Sequence, residues 1–156
     1  MFVRWSLGRV RESSILCDMR EIVVRDPKSY DDALHVRRTV FVGGQGVPLE
    51  IEVDEFEESS THFVGYLDDD RPVSAGRLRK KGSIAKFERI AVIEGHRGKN
   101  LGKRITDFML EFARREWPEY LPFMHAQEHA VGFYEKLGWK KIGEWFEEAS
   151  IGHWKM

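Results

Sequence analysis

The residues Arg97-Gly98-Lys99-Asn100-Leu101-Gly102-Lys103-Arg104 place cations and glycines at a point where a helix begins. The first turn of a helix leaves backbone N–H groups without intrahelical partners and carries the positive end of the helix dipole. Glycine lets a ligand approach the backbone closely, so this stretch reads as an anion site of a kind that suits phosphate. Just before it, Phe87-Glu88-Arg89-Ile90-Ala91-Val92 is a short apolar run rich in β-formers, the pattern of a buried strand. Just after it, Leu101, Ile105, Phe108, Met109 and Phe112 recur at spacings of three and four, which predicts a helix with one core-facing side. Strand, basic turn and helix are therefore the elements that must position the chemistry.

Two nucleotide-binding devices are excluded by the order of residues. A Walker-type loop has the form Gly-x-x-x-x-Gly-Lys-Ser/Thr, and around Gly102-Lys103 those outer places hold Arg97 and Arg104. No Gly-x-Gly-x-x-Gly occurs in the chain, so the dinucleotide fingerprint fails too. A third motif, His125-Ala126-Gln127-Glu128-His129, spells the His-x-x-Glu-His of a zinc hydrolase. That chemistry needs the whole motif on one helix, whereas His125 here ends an apolar run of strand type. Zinc hydrolysis is therefore a remote alternative, and no metal is expected.

The surrounding elements read as one α+β domain. Glu21 to Arg25 is a first strand, and Asp26-Pro27 an N-cap followed by proline at the first helical position. A helix carrying Ala33, Leu34, Val36, Val40 and Phe41 should end before Gly43-Gly44. An acidic segment follows, with Glu50, Glu52, Asp54, Glu55, Glu57 and Glu58 interleaved with Ile51, Val53 and Phe56. It reads either as a solvated edge or as a wall that attracts a cationic substrate. Strands are predicted over 62–67, 72–79 and 84–92, an antiparallel meander leading into the basic turn. After the long helix, which Trp117-Pro118 stops, come a strand over 121–126, a short helix over 130–137 capped by Gly138, and strands over 139–146 and 151–156.

Composition bounds the function. The chain has 156 residues and a formal net charge of −1, so nothing global argues for nucleic acid, which would need a basic excess or stripe. No apolar stretch is long enough to span a bilayer. Cys17 is the single cysteine, so an intramolecular disulfide is impossible and a reducing, cytoplasmic setting is expected. Residues 1–18 carry Arg4, Arg9 and Arg11 without the apolar block of a secretory signal. Glu12 and Asp18 speak against a transit peptide, so these residues read as an N-terminal extension, with the domain over 19–156.

The loop from Arg97 to Gly102 resembles the Arg-x-x-Gly-x-Gly loop of the GNAT N-acetyltransferases. Ala130-Val131-Gly132-Phe133-Tyr134-Glu135-Lys136-Leu137-Gly138-Trp139 is similar to the second signature of that superfamily. Gln45-Gly46-Val47-Pro48, Gly76-Arg77-Leu78-Arg79 and Ile151-Gly152-His153 resemble its YjcF/ElaA-like branch. The resemblance runs from about Glu21 to the end. It implies the GNAT fold, a mixed and mostly antiparallel sheet flanked by helices. It also implies an acyltransferase that moves acetyl from acetyl-CoA directly to an amine. A non-catalytic CoA-binding or sensing domain is the alternative.

Carried over residue by residue, the resemblance implies that the backbone of Ile90, Ala91 and Val92 pairs with the pantetheine arm. Arg97, Gly98, Lys99, Asn100, Gly102 and Lys103 would then hold the pyrophosphate. Tyr134 matches the tyrosine that donates a proton to the departing thiolate, a role a phenol can fill. Glu88 is the first candidate for the base that deprotonates the amine, with His62, His153 or a water relay as alternatives. Asn100 departs from the pattern, which has glycine there, but asparagine tolerates left-handed backbone. The acceptor, a small-molecule or peptide amine, cannot be read from the residues. Homodimers are frequent among relatives.

Overall fold

The computed structural model describes residues 19–156; the N-terminal extension and Cys17 lie outside the described residues. One seven-stranded sheet has the order β1-β2-β3-β4-β5-β7-β6. The strands are β1 (Met19–Val23), β2 (Thr61–Leu67), β3 (Pro72–Lys81), β4 (Ile84–Val92), β5 (Leu121–Gln127), β6 (Trp145–Glu148) and β7 (Ile151–Lys155). All neighbours run antiparallel except β4 and β5, which are parallel. The expected α+β architecture is therefore the one observed.

One helix covers each face of the central strands. Helix α3 (Leu101–Glu116) buries Leu101, Ile105, Met109 and Phe112, the stripe expected from its period. Ile105, Met109 and Phe112 pack with Phe63, Leu78 and Phe87. Gly76 is what lets α3 come this close, because a Cβ there would collide with the Met109 side chain. On the other face, α1 (Pro27–Arg37) starts at the Asp26 cap, whose carboxylate accepts from the Ser29 N–H at 3.0 Å, with Pro27 following. Its residues Ala33 and Val36, with Val40 and Phe41 beyond, pack against Val64, Tyr66, Ala75 and Ala91.

Two local differences from the sequence reading have identifiable causes. The chain after α1 does not stop at Gly43 but widens into a π-helical turn over Arg38–Gly44, followed by the short helix α2 (Leu49–Glu52). Glycines there reduce the penalty for loosened helical geometry. The strand expected over 139–146 is only the four residues Trp145–Glu148. Gly143 takes φ 77°, which breaks the extended chain, while the Trp139 ring turns inward to meet Phe87 edge-on at 5.1 Å. A last helix, α4 (Val131–Lys136), follows β5.

Two irregularities open the sheet. Arg77 pairs with Glu88 but Ala75 with Ala91, so Arg89 and Ile90 together oppose Gly76 in a β-bulge, with Arg89 at φ 56°. The parallel pairing of β4 with β5 is confined to Ile84–Phe87 against Leu121–Met124. Beyond that point β5 pairs with β7 instead, and Glu88 to Val92 run free of β5. The two strands part at the centre of the molecule.

Candidate active site

The parting of β4 and β5 opens a cleft of about 620 Å³. Its walls carry Ile90, Ala91 and Val92 from β4, Gly98, Asn100 and Gly102 from the basic turn, and Phe133 and Tyr134 from α4. With Arg97, seven of the nine positions proposed from the resemblance to hold the acyl carrier line this cleft. Lys99 and Lys103 stand outside it: both are exposed, and Lys103 is paired with Asp107 one turn on.

The turn is preformed. Gly98 has φ 77° and Asn100 is the N-cap of α3 at φ 62°, ψ 11°, the left-handed conformation that asparagine tolerates. The Asn100 carbonyl accepts from the Arg104 N–H at 3.0 Å, and its side chain makes no capping bond. The N–H groups of the first turn of α3 thus keep the donor capacity that suits a diphosphate. Gly102 keeps the approach clear: a Cβ there would lie 3.2 Å from the Phe133 ring. Arg97 donates from Nε to the Val92 carbonyl at 3.0 Å and ties the turn to β4.

Tyr134 is buried against Phe133, rings 5.0 Å apart, and faces the cleft. Burial pushes its phenol well above the ordinary range, so it is a neutral hydrogen-bond donor at all moderate pH values. Glu88 also lines the cleft, at the point where the strands part. Its Oε2 accepts from Arg77 Nη2 at 2.7 Å and from Arg79 Nε at 3.1 Å, while Lys86 Nζ lies 2.9 Å from Oε1. Burial alone would raise this carboxyl, but hydrogen bonds from Arg79 and Lys86 and the charge of Arg77 outweigh it and hold it at about 2.

The other candidate bases separate. His62 is not in this cleft; it sits behind it, with Nε2 2.8 Å from the Glu57 carbonyl, and burial holds it below the ordinary imidazole range. His153 lines the cleft with Nδ1 2.7 Å from the Ile151 carbonyl and its ring stacked on Phe146. His125, which sequence reasoning weighed only as a zinc ligand, also lines the cleft and, like Glu88, comes directly after the last β4–β5 pair. Its Nδ1 is buried, makes no hydrogen bond, and stands 3.5 Å from a Glu148 oxygen. No local pattern in the sequence signals this placement, because it follows from the pairing of Phe87 with Met124, distant in the chain. The zinc arrangement does not form: His125 is on β5 while Glu128 and His129 are on the turn after it.

The acidic segment divides: Glu50, Glu55 and Glu58 are exposed, as a solvated edge would have them, while Glu52, Asp54 and Glu57 turn inward. Glu52 and Glu57 are buried on Arg37 at 2.5 and 2.8 Å, and Asp54 binds Arg77 at 2.7 Å. Arg89 reaches back to Glu52 at 2.8 Å. Its inward carboxylates are therefore neutralised from within. Across the mouth of the cleft, Gln45 and Gln127 exchange two hydrogen bonds, at 2.9 and 2.8 Å.

Residues 40–156 match the family model described as an acetyltransferase (GNAT) domain. The chain belongs to the GNAT acetyltransferase family. It is 39% identical to the uncharacterized N-acetyltransferase YjcF of Bacillus subtilis over 139 residues, 88% of this chain and 98% of that protein. Protein ElaA of Escherichia coli is 28% identical over 123 residues, 77% of this chain and 80% of that protein. The crystal structure of ElaA superposes with a TM-score of 0.76 at 22% identity, over 88% of this chain and 97% of that one. An acyl-CoA N-acyltransferase from Pseudomonas aeruginosa gives the same TM-score and identity over 88% and 96%. This GNAT domain is thus an acyltransferase that uses an acyl-CoA and an amine. Among the described residues no helix is long and apolar enough to cross a membrane.

Proposed function

We propose that the cleft takes acetyl-CoA along β4 and transfers its acetyl group directly to an amine entering from the side of α2. The observation that carries this reading is the free edge of β4 from Ile90 to Val92, leading from the preformed turn at Gly98 and Asn100 to the parting of the strands. The edge offers backbone groups to an amide-bearing arm, and the turn offers N–H groups to a diphosphate. Orientation of thioester and amine in one cleft supplies most of the rate. Tyr134 donates its hydroxyl hydrogen towards the sulfur as the thiolate departs, which its neutral phenol suits. A reducing cytoplasm accords with this chemistry and with the single cysteine.

Glu88 and His125 both line the cleft where β4 and β5 part, the place where the amine would lose its proton. A carboxylate held at about 2 has little basicity. His125, whose Nδ1 has a Glu148 carboxylate oxygen 3.5 Å away, offers an imidazole, the side chain that most often serves as general base. We assign proton acceptance to His125 and the anchoring of Arg77, Arg79 and Lys86 to Glu88. His125→Gln should lower kcat/KM roughly 100-fold; a loss of that size in Glu88→Gln with His125→Gln still active would return the role to Glu88. Thiol release measured with acetyl-, butyryl- and octanoyl-CoA tests the donor. Preference for a longer chain would displace acetyl-CoA.

A further inference from the structure

The acceptor half of the cleft is floored by directly opposed positions of the β3–β4 ladder, Arg77 against Glu88 and Arg79 against Lys86. Four carboxylates are gathered on and behind this floor, Glu52, Asp54, Glu57 and Glu88, all with side chains no more than 18% exposed. Five cations meet them: Arg37, Arg77, Arg79, Lys86 and Arg89, none more than 23% exposed. Five against four leaves one positive charge in a desolvated setting. His62 adds nothing to it, because burial favours its neutral form. The next carboxylate lining the cleft, Glu148, is 56% exposed, stands beside His125 and feels the charge of Lys86, so it screens the surplus only through solvent.

The surplus can be located by following the donors. Arg77 uses all three guanidinium nitrogens on Asp54, Glu57 and Glu88. Arg37 likewise uses all three, on Glu52, Glu57 and the Glu52 carbonyl. Arg79 is different: only its Nε is engaged, by Glu88, and neither terminal nitrogen donates to a described residue. Its guanidinium lies 4.0 Å above the Phe56 ring, which fixes the plane in which those nitrogens point. Lys86, opposite, has one ion-pair partner for three donors. Both side chains line the cleft. An oriented guanidinium with free terminal N–H groups beside an ammonium is a receptor for a carboxylate or phosphate.

We propose that the acceptor is a small amine that also carries an anionic group, a carboxylate or a phosphate, received by Arg79 and Lys86 while its amine faces His125 and Glu88. This rests on the acetyl-transfer reading of the same cleft. It replaces the cationic acceptor that one reading of the acidic segment suggested, since arginines neutralise the segment's inward carboxylates Glu52, Asp54 and Glu57. The ligand's negative charge balances the one surplus cation, and its oxygens accept from donors the protein leaves free.

Matched primary amines test it, with thiol release from acetyl-CoA as the readout: 2-aminoethyl phosphate against ethanolamine, and 3-aminopropanoate against 3-aminopropanamide. The anionic member of at least one pair should show a kcat/KM about tenfold or more higher, the discrimination expected of hydrogen bonds to a charged group. Which pair responds distinguishes phosphate from carboxylate. That ratio should collapse to within about threefold in Arg79→Gln and in Lys86→Gln, and recover in part in Arg79→Lys, with melting curves confirming that each variant is folded. Equal or better use of the neutral members by the wild type overturns the anionic acceptor and leaves acetyl transfer standing. If no amine releases thiol, acetyl transfer to small amines fails, and the subsite is judged by calorimetric titration of CoA-loaded protein with 2-aminoethyl phosphate and 3-aminopropanoate. Binding weakened in Arg79→Gln supports the subsite; no binding, or binding unchanged in the variant, overturns it.

Discussion

Arg77 donates twice to the same oxygen of Glu88, from Nε at 3.1 Å and from Nη2 at 2.7 Å, across directly opposed positions of β3 and β4. The pair joins the two halves of the site's chemistry. It anchors the strand proposed to carry the acyl donor, and it sets the charge of the floor proposed to meet the acceptor. Because Arg79 and Lys86 share the same carboxylate, Glu88 is held in place and in charge by three cations.

That anchoring makes Glu88 an acid-sensitive element of stability. Its folded-state value of about 2 lies below the ordinary carboxylate value of about 4.3. The stabilisation is therefore complete above the ordinary value and is lost as pH falls towards 2. Glu88→Gln should melt roughly 5–10 °C below the wild type at neutral pH, from the loss of hydrogen bonds to a charged group. The gap should close as the pH is lowered from 5 to 2.5. A gap independent of pH would mean that the carboxylate is not held ionised by these partners.

Arg37 is the buried counterpart on the side of α1. Its side chain is fully buried and neutralises Glu52 and Glu57. Arg37→Met should cost about 3–5 kcal/mol, the range for removing one partner of a buried ion pair. The triple variant with Glu52→Gln and Glu57→Gln should recover part of the loss. Urea unfolding of the three proteins decides it, and a cost under about 1 kcal/mol would show the network to be solvated.

Tyr134→Phe separates chemistry from binding. Its hydroxyl donates to no described residue, so the variant should fold normally and bind CoA with unchanged affinity. Turnover should fall roughly 100-fold, at the lower end of what a positioned proton donor supplies. Pre-steady-state thiol release combined with CoA titration would show this, and full activity would remove the donor role.

The turn can be tested at Asn100 and Gly102. Asn100→Gly meets the φ of 62° without strain and should keep CoA affinity within about threefold. Asn100→Val places a β-branched residue in left-handed backbone at a cost of about 1–2 kcal/mol, which should weaken CoA roughly tenfold. Gly102→Leu should weaken it as well, since even the first carbon meets Phe133 at 3.2 Å. Unchanged affinity in both bulky variants would detach the turn from CoA binding.

The sequence alone was enough for whatever depends on neighbours in the chain. The α3 stripe follows from its period, the Asp26-Pro27 start from capping chemistry, and the left-handed turn from a glycine and an asparagine placed before Leu101. Family membership followed because the loop and the Phe133-Tyr134 segment are contiguous strings. Glu88 was recognisable as a carboxylate in an apolar strand, but its cations come from β3 as well as β4, and its chemistry comes from them. The acidic segment read as a solvated edge or as a wall for a cation, whereas α1, β3 and β4 carry arginines that hold Glu52, Asp54 and Glu57 inward. His125 gained its place only when β5 left β4 to pair with β7, and Gln45 met Gln127 across 82 positions of chain. Desolvation and hydrogen-bond partnership are set by groups distant in sequence, so only the tertiary structure decided which charges are neutralised and which donors face the cleft.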